Sequence, residues 1–258
     1  GIRDYKVTGV QTCALPIWTG LYTSPHLVSF TERFQINRQP CLQPDVIRLV
    51  ERIRPLREGL SRELTFFETV TAMALDYFRE QGVDVVVWET GLGGRLDATN
   101  IVTPLVSVIT SIGFDHMQYL GDTLAKIAAE KAGIIKPGVP VVSVRQDPAA
   151  MQVIRQAAPA VIEVTEPVAF EPPLAGEHQR WNCAVALAAL CASGLKFTDE
   201  QLQTGLRKTQ WPGRFQVIGD VVLDGAHNPP GAETLVATLR QQYPGRPIRD
   251  RKSTRLNS

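Results

Sequence analysis

Apolar positions along the chain alternate between two periods. Phe67, Val70, Ala74 and Phe78 recur at the spacing of one helix face. The run opens at Thr65-Phe-Phe-Glu68, a Thr and a Glu three residues apart, which predicts a capping box, and Gly82 marks its end. Val83–Trp88 is then apolar at nearly every position, as in a parallel strand covered on both faces. Leu105–Ile112, Val139–Val144 and Val161–Val164 read as further strands. Between them a helix capped by Asp122 runs to about Ala132, with Gly133 as its stop, and a shorter one spans Pro148–Ala158. A proline-rich joint over Glu166–Leu174 leads into a long helix from Glu177 to Ala192, and Thr198-Asp-Glu-Gln201 caps another. Trp211-Pro-Gly213 breaks the pattern. A strand over Phe215–Leu223 and a helix over Gly231–Tyr243 follow.

Alternating strands and helices predict an α/β fold with a mostly parallel sheet flanked by helices. The break near 212 suggests a central domain over 18–212 and the start of a second domain over 213–248. One strand and one helix are too little for an independent core, so the second domain is expected to be truncated. Residues 1–17 show neither period, and 249–258 are basic and patternless. The strings "RDYKVTGVQTCALPI" and "DRKSTRLNS" resemble translated sequencing-adapter sequence. Both ends are set aside as non-native, as an expression scar would be, the alternative being two ordinary tails.

Composition narrows the function classes. The 258 residues are 44% hydrophobic with a formal net charge of +1, which gives no electrostatic footprint for nucleic acid or an anionic membrane. No apolar run reaches the roughly 18 residues of a membrane span, and the N-terminus lacks the order of a signal peptide. Cys13, Cys41, Cys183 and Cys191 form no CxxC pair. Cys183 and Cys191 lie in an apolar helical run and are expected in the core, as in a reduced, cytoplasmic protein.

Four places carry chemistry. Glu89 ends the strand over 83–88 and precedes Gly91, Gly93 and Gly94. Ligands of open α/β sheets bind beyond the carboxyl ends of strands, and Mg2+ takes one or two carboxylates from protein. The glycines let backbone approach a ligand closely, while the plain alternative is a solvated acid above a tight turn. His116, in Ser111-Ile-Gly-Phe-Asp-His116, leaves the next strand end, where a surface or hydrogen-bonding role is the alternative. Lys131 sits near a helix C-terminus, which its charge complements. It could join a metal site only as a neutral amine or an anionic carbamate. Asp224, in Leu223-Asp-Gly-Ala-His-Asn-Pro229, stands at a strand end where an acid can accept from a ribose. There His227 or Asn228 can meet a phosphate or base, and Asn228 can cap the helix with Pro229 at its first position.

The ordered set "TGLYTSPHLVSFTERFQIN", "FFETVTAMALDYF", "WETGLGGRLDATN", "SIGFDHMQYLGDTLAKIAAEKAGIIKPG", "GEHQRWNCAVAL", "WPGRF" and "LDGAHNP" covers residues 19–248. It resembles the folylpolyglutamate synthase/dihydrofolate synthase family of Mur ligases. The resemblance implies a P-loop-type central domain followed by the start of a Rossmann-like C-terminal domain. It implies an ATP-dependent ligase in which a carboxylate takes the γ-phosphate of ATP and the amino group of L-glutamate displaces phosphate from the acyl phosphate. The acceptor is dihydropteroate or a reduced folate, and the family implies a monomer.

Residue by residue, the resemblance makes Ser24, Glu89 and His116 ligands of Mg2+ and Lys131 a carbamylated lysine beside them, with Glu89, His116 and Lys131 as the catalytic group. It assigns Asn182, Arg214, Asp224 and His227 to ATP, and Thr23, Pro25, His26, Phe66, Leu96, Asp97 and Ala98 to the pterin substrate. One departure stands out. The family carries a GTNGKGS phosphate loop shortly before the TSPH segment, and no Gly-Lys dipeptide occurs anywhere in this sequence. The backbone donors, lysine and hydroxyl of that loop are missing, so the literal chain is expected to be inactive. A non-catalytic relic that binds a pterin or partner, and a peptidoglycan Mur ligase, are the alternatives. The "TSPH" and "LDATN" segments speak against the latter.

Overall fold

The structure is a computed structural model and describes residues 17–249 and 251. The terminal segments set aside as non-native, Ile17, Arg249 and Arg251 excepted, lie outside these residues, as does Cys13. The architecture is α/β. In the first sheet β1 (Thr19–Tyr22) lies antiparallel to β2 (Phe34–Ile36), which pairs with β3 (Gln39–Pro40) at the edge. On its other side β1 runs parallel to β4 (Val85–Trp88).

Two helices, α1 (Gln43–Glu58) and α2 (Phe66–Gln81), contribute the helical half of this sheet's core. Tyr22, Phe34 and Leu49 are fully buried there with Met73, Ala74 and Phe78, and the Tyr22 ring lies 4.5 Å from that of Trp88. The expected capping box opens α2: Thr65 Oγ1 accepts from Glu68 N, and the Glu68 carboxylate accepts from Thr65 N. Gly82 closes the helix at φ +62°. β4 departs from expectation. Its Val87 is 57% exposed, so this strand is not covered on both faces.

The second sheet is fully parallel: β5 (Ser107–Ile109), β6 (Val141–Val144), β7 (Ile162–Val164). The short helix α3 (Met117–Leu120) precedes α4 (Leu124–Ala132). With α5 (Pro148–Ala157) they bury Ile109, Leu120, Ile127, Ala128, Ala150, Met151 and Ile154 together. Against the other face, α6 (Glu177–Ala192) packs Val185 on Val142 and Val144. Alternate β6 side chains point to opposite faces, and all four are buried.

Three local expectations are corrected. Asp122 does not cap α4: Thr123 does, its hydroxyl accepting from Lys126 N, while Asp122 pairs with the Lys126 ammonium outside. A cap must reach the amide two or three residues on, and Asp122 stands one position too early. The strand expected over Phe215–Leu223 is a hairpin of β8 (Gln216–Ile218) and β9 (Val221–Leu223), because Gly219 at φ +58° lets the chain reverse. Cys183 is buried, but Cys191 is exposed.

Asn228 caps the last helix, α8 (Pro229–Gln242), which follows α7 (Asp199–Arg207) and the hairpin. Among the described residues no helix is long and apolar enough to cross a membrane.

Candidate active site

The parallel pairing of β1 and β4 brings their carboxyl ends side by side. Glu89 N donates to Tyr22 O at 3.1 Å, and Ser24 N donates to Glu89 Oε2 at 2.7 Å. Oε1 has no hydrogen-bond partner among the described residues. Glu89 keeps a solvent-exposed edge, yet burial by the surrounding protein pushes its carboxyl above the usual range. The Ser24 amide and the charge of Arg214 pull it back in part. The ingredients are a half-desolvated acid with one free oxygen, a neighbouring hydroxyl and a cation.

The glycines after Glu89 serve helix packing. A Cβ on Gly91 would enter the Phe67 ring. One on Gly94 would lie 2.8 and 2.9 Å from the carbonyl oxygens of Glu130 and Lys131. Gly93 has φ +70°, a conformation that favours glycine. Asp97 pins the same loop: Oδ2 accepts from Leu92 N, and Oδ1 accepts from the Thr99 amide and hydroxyl. These residues were expected to let backbone meet a ligand; their observed contacts are with α2 and α4. Leu96 is exposed and Ala98 opens a 3-10 turn, Ala98–Ile101.

Because Gly94 rests on the end of α4, the Glu89 loop is joined to Lys131. Burial lowers the Lys131 pKa, and the Asp115 carboxylate opposes that shift. A lysine so placed gives up its proton more readily than one in water, which complementing the helix end does not account for. Asp115, missed by the sequence reading, is a hub. Its Oδ1 accepts from His116 N at 2.8 Å and its Oδ2 accepts from Asn228 Nδ2 at 2.8 Å. The Nε2 atoms of His116 and His227 lie 3.8 and 3.9 Å from its oxygens. Burial pushes the Asp115 carboxyl up, but the Asn228 and His116 hydrogen bonds outweigh it and hold it below the ordinary range. His116 has φ +48°, a sparsely populated conformation for a non-glycine residue.

Of the residues expected around ATP, Arg214 acts on Glu89 and on His178, whose Nδ1 is buried without a partner. Asp224 is held by its own loop. Both its oxygens are engaged by backbone amides, Oδ2 by Phe215 N and Oδ1 by Ala226 N, each at 2.8 Å, so its carboxylate folds the loop. His227 Nδ1 donates to Gly225 O at 2.8 Å, a carbonyl being able only to accept. Asn228 both caps α8, accepting from Gly231 N, and reaches Asp115. Asn182 Nδ2 donates to Gln179 on the same helix and joins neither group.

The residues expected around the pterin lie after β1 and at the start of α2. Thr23 N donates to Arg33 O at 3.3 Å, and the Ser24–Pro25 peptide is cis. His26 and Phe66 both contact Arg33, another residue the sequence reading passed over.

The expected constellation thus resolves into two groups. Ser24, Glu89 and Arg214 form one; His116, Lys131, Asp115, His227 and Asn228 form the other. They meet through the packing of Gly94 on Lys131, with no direct hydrogen bond or ion pair between Glu89 and His116 or Lys131 among the described residues. Nor do these residues contain a cluster of three or more His, Cys, Asp and Glu able to hold a metal ion. Mg2+ does not require one, since it keeps several waters and takes one or two carboxylates. The free Glu89 oxygen and the Ser24 hydroxyl fit that demand.

The Mur ligase middle domain profile matches residues 58–166. The dihydrofolate synthase/folylpolyglutamate synthase of Bacillus subtilis is 40% identical over 87% of this chain and 61% of its own length. Its Escherichia coli counterpart is 37% identical over 86% of this chain and 57% of its own. Among solved structures, a point mutant of the L. casei folylpolyglutamate synthase aligns with TM-score 0.82 at 32% identity, covering 90% of this chain and 67% of that one. A folylpolyglutamate synthase complex with AMPPCP and folate gives TM-score 0.84 at 33% identity, covering 90% and 66%. The chain spans about six-tenths of the length of these two curated relatives.

Proposed function

The chain belongs to the folylpolyglutamate synthase/dihydrofolate synthase family of Mur ligases, and on that premise we propose that it is the central part of an ATP-dependent ligase adding L-glutamate to dihydropteroate or a reduced folate. The observation that carries this reading is the Glu89 recess. A carboxylate with one uncommitted oxygen accepts from the Ser24 amide with its other oxygen and lies within the field of Arg214. A phosphoryl transfer is mostly positioning and charge neutralisation.

In this reading Glu89 and Ser24 hold Mg2+, with His116 as a further ligand. When bound, the ion neutralises phosphate charge and orients the transferring group. Arg214 offers a planar donor fork to phosphate oxygens. Asp115 keeps His116 and the Asn228 cap in register, so the loop after β9 approaches the end of β5. Lys131, desolvated and therefore readily neutral, is the lysine that takes up carbon dioxide as a carbamate. With Asn182, His227 and the loop carrying Asp224, Arg214 lies on the nucleotide side; Thr23, Pro25, His26, Phe66, Leu96, Asp97 and Ala98 lie on the pterin side. Residues 18–212 act as the central domain, 213–248 as the beginning of the next, and the protein works as a cytoplasmic monomer.

Two experiments test this. Residues 18–248 replace the matching region of the Bacillus subtilis enzyme, and the hybrid is assayed for ATP- and glutamate-dependent extension of dihydropteroate and tetrahydrofolate. Product formation that Glu89→Gln abolishes is expected; a folded, ATP-binding hybrid without product overturns the reading. The 258 residues alone, lacking a Gly-Lys phosphate loop, are expected to be inactive in the same assay. Separately, 13C-bicarbonate should give a carbamate resonance on the chain that Lys131→Arg removes. A resonance that survives this change places the carbamate elsewhere.

A further inference from the structure

We propose that Arg33 is a positioning residue for the heteroaromatic end of the substrate, locking His26 as an Nε2–H donor and holding Phe66 as a stacking face. The proposal deepens the ligase reading above and rests on it.

Arg33 ends a short 3-10 turn, Phe30–Arg33, and is only 7% exposed. No carboxylate of the described residues offsets that burial. A buried cation without an acid is costly, and an apolar side chain would fill the same space without the penalty. The arrangement around it suggests what the charge is for. Arg33 Nε donates to His26 Nδ1 at 2.9 Å. A guanidinium has no acceptor, so Nδ1 must be the unprotonated nitrogen of the ring. The neutral imidazole then carries its proton on Nε2, which has no partner among the described residues and keeps solvent contact.

The guanidinium carbon also lies 5.5 Å from the Phe66 ring centre and 5.9 Å from that of Phe30, within cation–π range. Phe66 is 63% exposed, so one part of its ring is held by the cation and the rest is open. Glu32 fixes the adjoining loop by accepting from the amides of Leu27, Val28 and Ser29. Arg33 Nη1 and Nη2 likewise have no acceptor among the described residues and keep solvent contact.

One patch therefore offers an aromatic face and an imidazole N–H, and no acceptor from these side chains. It suits a flat ring whose edge carries acceptors, as the oxo group and ring nitrogens of a pterin do, and it repels a cationic ligand. Arg33 works through its two neighbours, so its loss should cost orientation at both.

The 258-residue chain with 15N-labelled histidines reports the His26 tautomer from its ring nitrogen shifts, His26→Gln identifying the signal. Quenching of dihydropteroate fluorescence reports binding. In the wild type His26 should carry its proton on Nε2. Arg33→Gln should convert it to a mixture of tautomers and weaken dihydropteroate binding by about tenfold or more, the scale of one charge-assisted hydrogen bond. His26→Gln should weaken binding similarly, and the double variant should lose less than the product of the two. A proton on Nδ1 in the wild type, or a tautomer indifferent to Arg33→Gln, overturns the proposal whether or not ligand binds. If Arg33→Gln does not fold, the wild-type tautomer still decides the imidazole half. Phe66→Ala, an exposed change, decides the stacking half, and unchanged binding there overturns it. A chain with the expected tautomer behaviour that binds no dihydropteroate overturns instead the ligase reading and the ligand assigned to this patch.

Discussion

Glu89 and Asp224 look alike in the sequence: each follows an apolar strand, and each precedes a glycine-containing turn. The fold treats them oppositely. Asp224 gives each of its oxygens to a backbone amide. Glu89 gives one oxygen to one amide, keeps the other, and is held where burial disfavours its charge. An acid at a strand end is thus a candidate ligand only when the local backbone leaves it unsatisfied. What separates the two is the number of amides pointing at them. That number depends on whether the chain turns back on itself, as it does around Asp224, or runs on into a neighbouring helix.

The contrast can be broken by mutation. The largest effect should come from Asp224→Ala, which strands two amides that now bond to a charged group and should cost roughly 2–4 kcal/mol. Glu89→Ala should cost less than about 1 kcal/mol, since no more than one such bond is lost and a desolvated charge is removed. Urea unfolding compares them, and equal losses would erase the distinction drawn here.

Next, Gly94→Ala should destabilise by about 1–3 kcal/mol, because its neighbours are helix carbonyls that cannot swing aside. Gly205, on α7 with open space around it, is the control, and Gly205→Ala should stabilise by about 0.5–1 kcal/mol. A Gly94→Ala variant as stable as that control would return the loop to the ligand-approach explanation.

Asn228→Ala removes both a helix cap and the bond to Asp115 and should cost about 1–2 kcal/mol. A loss unaltered when Asp115 is already Ala would show that the bridge adds nothing to the cap.

The smallest effect is a pH slope. The Glu89 pKa is raised on folding, so the folded chain holds that proton more tightly than the unfolded chain does. The stability it contributes is present at low pH and falls as pH rises from the ordinary carboxylate range through the raised value. Glu89→Gln should remove that slope, which solvent screening limits to some tenths of a kcal/mol. A wild type that instead gains stability relative to the variant over this window would mean that the recess favours the charged acid.

Much of the helical framework could be read from the sequence because helix ends are local chemistry. Thr65 and Glu68, Thr198 and Gln201, and Asn228 followed by Pro229 all act as their spacing predicts. Strand coverage could not be read so well. β4 is apolar at every position and β6 carries Ser143, yet β6 is buried throughout while Val87 faces solvent, since coverage depends on which helices return to that face. α1 carries Val46, Leu49, Val50, Ile53 and Leu56 at helical spacing, a signal the sequence reading passed over.

In the site, Glu89 directly follows β4 and Lys131 lies in the last turn of α4, as their positions suggested, while His116 stands past β5 at the N-cap of α3. Asp115 was hidden by its place inside "GFDH", next to a more conspicuous histidine. Its importance comes from Asn228, 113 residues away. Arg33 was hidden because a buried arginine and a surface arginine look the same as letters. The contacts that hold Asp224 and Gly94 could not be read, because their backbone partners leave no mark in the side-chain pattern.

The seating of Gly94 on the carbonyls of Glu130 and Lys131 has a consequence for how this segment can change over time. With no slack between loop and helix, residues 90–98 cannot lengthen or shorten by even one position without levering the end of α4 away from its sheet. Natural variation here should therefore appear as substitutions of outward side chains such as Leu96. Insertions and deletions should collect in connections that rest on nothing, such as the turn at Gly219.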